Sequence, residues 1–143
     1  MSLSLAVVLA GQAATAMPWI PPLRSRAMVE VVLPPRRAAG ALDTLVRACG
    51  ERRMALVERT QTQVVCASEP DAASRLAYMS ARPRPSGPLE GFVRFSLQRS
   101  GESVRLQGVR YAEFRTIGEH QRVVSDDVGL LREMLERVQP SQK

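Results

Sequence analysis

The sequence predicts an α+β two-layer sandwich: one antiparallel sheet of about five strands with two main helices packed on a single face. Three observations carry that expectation. Val93, Phe95 and Leu97 alternate with Arg94, Ser96 and Gln98, the period-two pattern of a sheet covered on one side. Two other stretches repeat apolar residues at three- and four-residue spacing, the period of an amphipathic helix. The order β-α-β-β-(x)-β-β-α groups strands in pairs, which favours hairpins over parallel crossovers.

Taken in order, Ala27 to Leu33 reads as a buried, Val-rich strand. Pro34-Pro35 ends it and opens a helix whose stripe is Ala38, Ala41, Leu42, Leu45, Val46 and Cys49, with Gly50 as the C-terminal stop. Arg53–Arg59 and Thr62–Ala67 form a hairpin around Thr60-Gln61. Residues 68–90 leave two readings open: a helix from Ser68-Glu69-Pro70-Asp71 through Met79, or a strand over Arg75–Ser80. Pro83, Pro85, Gly87, Pro88 and Gly91 then make an irregular loop.

The second hairpin turns at Ser100-Gly101, which sets Leu97 opposite Val104, Phe95 opposite Leu106 and Val93 opposite Gly108. A parity shift beyond Gly108 predicts a bulge there, with the strand continuing toward Ile117. Ser125 or Asp126 caps the last helix, and Val128, Leu131, Met134, Leu135 and Val138 form its buried stripe before Pro140. The whole has the outline of the helix-grip group of folds.

The 143 residues suit one domain. Hydrophobic residues at 45% and charged residues at 24% exclude collagen-like, low-complexity and wholly disordered chains. Aromatics make up only 4%, so Val, Leu and Ala must fill the core.

Residues 1–23 carry no charge, and Leu3–Ala10 is a compact apolar run followed by Ala14-Thr15-Ala16. That A-x-A series predicts a signal peptide over residues 1–16, cut between Ala16 and Met17. The run falls short of the about 20 residues needed to cross a bilayer, so the mature chain has no stable membrane span. It lacks a preceding Lys or Arg, which leaves an ordinary strand or helix as the other reading. Cleavage implies a periplasmic or extracellular protein; retention implies a cytoplasmic or assembly-bound one. The expected layout is then 1–16 signal, 17–26 proline-containing segment, 27–139 domain and 140–143 tail.

Cys49, in the last turn of the first helix, and Cys66, near a strand end opposite Ala55, are close enough to pair. Closure of that loop contributes roughly 3 kcal/mol in the chain-entropy account. The alternative is two buried free thiols.

The net charge is +6 with a pI near 10.6, and all of the basic residues but Lys143 are Arg. Acids are interspersed, and no block of five like charges occurs. Arg94 and Arg105 share the polar face of the second hairpin, and Arg110 and Arg115 extend it depending on the bulge. These four are the candidate partner-binding residues. With Phe95 on the apolar face, no aromatic is expected among them, which counts against base stacking. His120 sits in a polar loop without a nucleophile or orienting carboxylate, and Asp126-Asp127 reads as a helix cap.

No dinucleotide, phosphate-loop, zincin or nucleophile-elbow motif occurs. The expected function is a non-catalytic exported adaptor or accessory subunit, with no cofactor or metal, docking onto a larger envelope assembly. A cytoplasmic nucleic-acid-binding protein is the alternative. A small carrier or enzyme with a cavity between helices and sheet is the third reading.

Overall fold

A computed structural model describes residues 27–139. The expected signal peptide, the Ala16–Met17 cut, the 17–26 segment and the 140–143 tail lie outside these residues. The architecture is the expected α+β two-layer fold, with six strands and three helices. These are β1 (Met28–Leu33), α1 (Ala38–Glu51), β2 (Leu56–Arg59), β3 (Gln63–Ser68), α2 (Ala72–Ser80), β4 (Glu90–Ser100), β5 (Ser103–Thr116), β6 (Glu119–Val124) and α3 (Gly129–Glu136). The antiparallel sheet runs β1-β5-β4-β3-β2. β6 pairs the second half of β5 on the edge whose first half takes β1, so β1 and β6 lie end to end along one long strand.

β6 replaces the polar loop expected around His120. Its six residues, EHQRVV, carry no clean alternation, and only the Ile117-Gly118 turn, with Gly118 at φ +79°, marks the hairpin. β1 is not buried throughout: Val31 and Leu33 point inward while Glu30 and Val32 are exposed, the pattern of an edge strand.

Leu33, Leu42, Leu45, Phe95, Leu106, Leu131 and Leu135 interlock between sheet and helices with almost no exposure. α2 joins the same face, where Tyr78 meets Phe114 edge-on at 5.3 Å. For residues 68–90 the structure therefore selects the helix. Asp71 caps α2 by accepting from the Ser74 N–H at 2.8 Å.

The β4–β5 register differs from the expected one by two residues. Ser100 faces Ser103, Leu97 faces Leu106 and Phe95 faces Gly108. The turn is Gly101-Glu102, with Gly101 at φ +62° where a type II′ turn places glycine. A shift of two keeps every side chain up to Gly108 on its expected face. No bulge occurs at Gly108, because pairing continues unbroken to Glu90–Glu113. Glycine is needed there for space: a Cβ would lie 3.0 Å from the Phe95 ring and 3.3 Å from Leu131.

Two helix ends also differ. Gly50 lies inside α1, and Arg53 takes the left-handed position at φ 59°. Arg53 N–H donates to the Gly50 carbonyl and Met54 N–H to that of Cys49, the two bonds of a Schellman turn. β2 is correspondingly shorter than expected, with an irregularity between Leu56 and Glu58, and Cys66 faces Leu56 rather than Ala55. Neither Ser125 nor Asp126 caps α3. Asp127 Oδ1 accepts from the Gly129 N–H at 3.2 Å, and the Ser125 hydroxyl accepts from the Asp127 N–H.

Candidate functional site

The face of the sheet opposite the helices is where the chain concentrates polar recognition groups. Period-two geometry puts Phe92 and Arg94 of β4 on this face, and the unbroken register sets Tyr111 beside Phe92 and Val109 beside Arg94. Val65 of β3 and Arg122 of β6 complete the cluster from either side.

Tyr111 is its centre. Its ring stacks on Phe92 at 5.4 Å, and the guanidinium groups of Arg94 and Arg122 lie 5.9 and 5.3 Å from its centroid. Arg94 donates to the Tyr111 hydroxyl at 3.3 Å and to Gln63 Oε1 at 2.5 Å, and approaches Glu58 at 3.8 Å. Arg122 donates to Glu113 Oε1 at 2.7 Å. Burial pushes the Tyr111 phenol above its ordinary pKa, and Arg94 offsets part of that rise.

The expectation that no aromatic sits among the arginines is thus overturned. The sequence carried the signal, since Phe92 shares the parity of Arg94. The supposed bulge at Gly108 hid Tyr111 and misplaced Arg110.

The four predicted arginines do not form one patch. Arg94 is only 14% exposed, held within the cluster, whereas Arg105 is 49% exposed and loosely paired with Glu30 at 3.7 Å. Arg115 lies at the far end of the same face and donates to His120 Nε2 at 2.9 Å. Arg110 points to the opposite, helix-covered face, because parity does not shift. There it donates to the Glu69 carbonyl at 2.9 Å and lies 3.9 Å from Asp127.

Arg110 belongs instead to a latch between the segments leading into α2 and α3. The Ser125 hydroxyl bonds Asp71, which also caps α2. Burial alone would raise the Asp71 carboxyl; the hydrogen bonds from Ser125 and Ser74, with Arg110 nearby, outweigh it and hold the pKa below its ordinary value. Gly91 fits the same junction closely, since a Cβ there would meet the Ser68 carbonyl oxygen at 2.4 Å.

Cys49 and Cys66 form a disulfide with Cα atoms 6.4 Å apart. The Schellman turn after α1 brings the chain straight back into β2, which sets Cys66 of β3 beneath the last turn of the helix.

Two hollows flank these features. One, of about 360 Å³, lies by Ser86, Arg115, Glu119 and His120. The other, of about 430 Å³, lies between the start of α1 and the end of α3 and is lined by Arg36, Arg37, Arg47 and Arg137. Among the described residues no group of three His, Cys, Asp or Glu side chains is placed to hold a metal ion. No described helix is long and apolar enough to cross a membrane.

Fold and site define a disulfide-bridged α+β domain whose sheet face opposite the described helices carries an aromatic–arginine cluster. The chain matches no family model and no curated protein.

Proposed function

We propose that the protein is a non-catalytic accessory subunit that works outside the cytoplasm and docks onto a larger protein assembly by strand addition at β2. The observation that carries the reading is the β2 edge itself. Leu56 and Val57 are 49% and 55% exposed, and no described strand pairs with its outer side. An unpaired edge offers backbone donors and acceptors to an incoming strand, and exposed apolar side chains add specificity. The Cys49–Cys66 bridge supports the compartment, because structural disulfides persist where the surroundings are oxidising.

The test is made in cells that naturally produce the protein. It should be recovered from an extracytoplasmic fraction, with Cys49 and Cys66 resistant to alkylation until reduced, and should co-purify with a large complex. Leu56→Lys with Val57→Lys should abolish co-purification and leave the circular dichroism spectrum unchanged. Recovery of reduced protein from the cytosol would overturn the proposal.

One observation favours a second reading, nucleic-acid binding: the hollow at the α1 start carries Arg36, Arg37 and Arg47, none of them in an ion pair with a described acid. Binding through phosphates would weaken linearly on a log–log salt plot. An absence of salt-sensitive binding to single- or double-stranded nucleic acid removes it.

A further inference from the structure

The packing of α2 makes one end of the molecule both apolar and basic. Ser74 and Tyr78, four residues apart, share the packed side of the helix: Ser74 is buried, and Tyr78 meets Phe114 and donates to the Gly87 carbonyl at 2.6 Å. Leu76 and Met79 therefore stand on the outer side, 65% and 74% exposed. The helix runs along the second half of β5. Its cap, Asp71, is held by Ser125 beside Arg110, and its last turn lies by Phe114. That course carries Met79 toward the β5–β6 turn, where Ile117 is 79% exposed. The loop after α2 reaches the same end, since Ser86 N–H donates to the Arg115 carbonyl at 2.8 Å.

Single exposed apolar residues are ordinary on a protein surface. Leu76, Met79 and Ile117, however, are the three most exposed large apolar side chains among the described residues, and they gather at one end. The charge around them has one sign. Residues 72–89 and 114–118 contain Arg75, Arg82, Arg84 and Arg115 and no acid. Of the neighbouring acids, Asp71 caps α2, Glu69 pairs with Arg75 and Glu113 with Arg122, which leaves Glu90 and Glu119. Arg82 donates to the Ala81 carbonyl, and neither it nor Arg84 pairs with a described acid.

Shape separates a lipid from a protein partner. Side chains on the outside of a helix and at the tip of a turn project, whereas a protein partner of standard size needs a broad, complementary surface. The boundary layer of a bilayer takes in projecting apolar groups and draws arginines to its anionic headgroups.

We propose that this end is a peripheral binding surface for an anionic bilayer: Leu76, Met79 and Ile117 enter the boundary of headgroups and acyl chains, and Arg82 and Arg84 hold lipid phosphates. α2 packs on β5, three strands from β2, so the domain rests on a membrane with its β2 edge open.

The test is sedimentation of the purified full-length protein with vesicles. It should bind vesicles of equal parts phosphatidylglycerol and phosphatidylcholine, and bind pure phosphatidylcholine at least about tenfold more weakly. Arg82→Ser with Arg84→Ser should weaken binding to the mixed vesicles about tenfold or more. Met79→Ser with Ile117→Ser should weaken it by a similar factor. Leu56→Ser with Val57→Ser should leave it unchanged, which separates this surface from the β2 edge. All of these positions are exposed, so each variant should keep the wild-type circular dichroism spectrum. No binding to the mixed vesicles overturns the proposal, as does equal binding to both kinds. Binding that either tip variant retains in full also overturns it, because the contact then lies elsewhere in the chain. Tighter binding to polyglutamate than to the mixed vesicles would assign this end to an acidic protein and overturn the lipid.

Discussion

At the scale of single residues, Arg94 and Arg105 show how two arginines on one strand pair reach opposite roles. Arg94 satisfies Tyr111, Gln63 and Glu58 at once and is largely shielded, whereas Arg105 reaches water beside Glu30. Arg94→Glu removes the Arg94 hydrogen bonds to Tyr111 and Gln63 and sets a carboxylate near Glu58, so it should destabilise the fold by at least about 2 kcal/mol. Arg105→Glu should stay within about 0.5 kcal/mol of wild type. Urea unfolding of the two variants separates them, and equal midpoints would contradict the burial argument. Arg53 differs in kind, since its backbone and not its charge is what the fold uses. A non-glycine residue in the left-handed region is strained, so Arg53→Gly should raise stability by about 0.5–1 kcal/mol, read as a higher urea midpoint.

At the scale of elements, α1, α3 and the β4–β5 pair were legible because each buries one face and leaves a period in the sequence, whereas α2 left helix and strand both open. α1 and α3 lie within the expected stripes. β6 was not legible, because a short edge strand that presents Glu119, His120, Gln121 and Arg122 reads locally as a loop. The site was half legible: the parity of Arg94 was correct, but its aromatic neighbour across the sheet depends on register and not on local pattern. The latch was invisible for the same reason, since Asp71 and Ser125 meet only through tertiary packing. It has a measurable consequence. The folded Asp71 pKa is lowered, so its stabilisation is present above the unfolded carboxylate pKa and is lost as pH falls through the folded value. Asp71→Asn keeps the cap on Ser74 but removes the charge. The acid limb of a Tm-versus-pH curve should therefore be shallower in this variant than in wild type, and an unchanged limb would exclude the latch as a source of acid sensitivity.

At the scale of the whole molecule, the disulfide ties the end of α1 to β3, the strand next to the β2 edge, joining the two layers covalently. Its loop spans 17 residues of sequence, and closing a loop of this size contributes about 3 kcal/mol in the chain-entropy account. Reduction, or Cys49→Ala with Cys66→Ala, should lower the unfolding free energy by that order and leave the sheet register intact. Calorimetry with and without reductant reads the difference. A reduced protein with an unchanged Tm would show that packing alone joins the layers.

The end-to-end placement of β1 and β6 on β5 also sets an order of assembly in time. During synthesis or translocation from the N-terminus, β1 emerges first, yet its partner residues, Val104 to Val109, emerge near the end. The α1–β3 unit carries its own helix, hairpin and cross-link and can organise early, because its contacts are local. β1 must wait, an unpaired apolar strand, until β4 and β5 have closed on each other. Pulse-labelled hydrogen exchange during refolding should find the β1 amides protected last, and a chain halted before residue 104 should expose β1 to proteolysis while the α1–β3 unit resists.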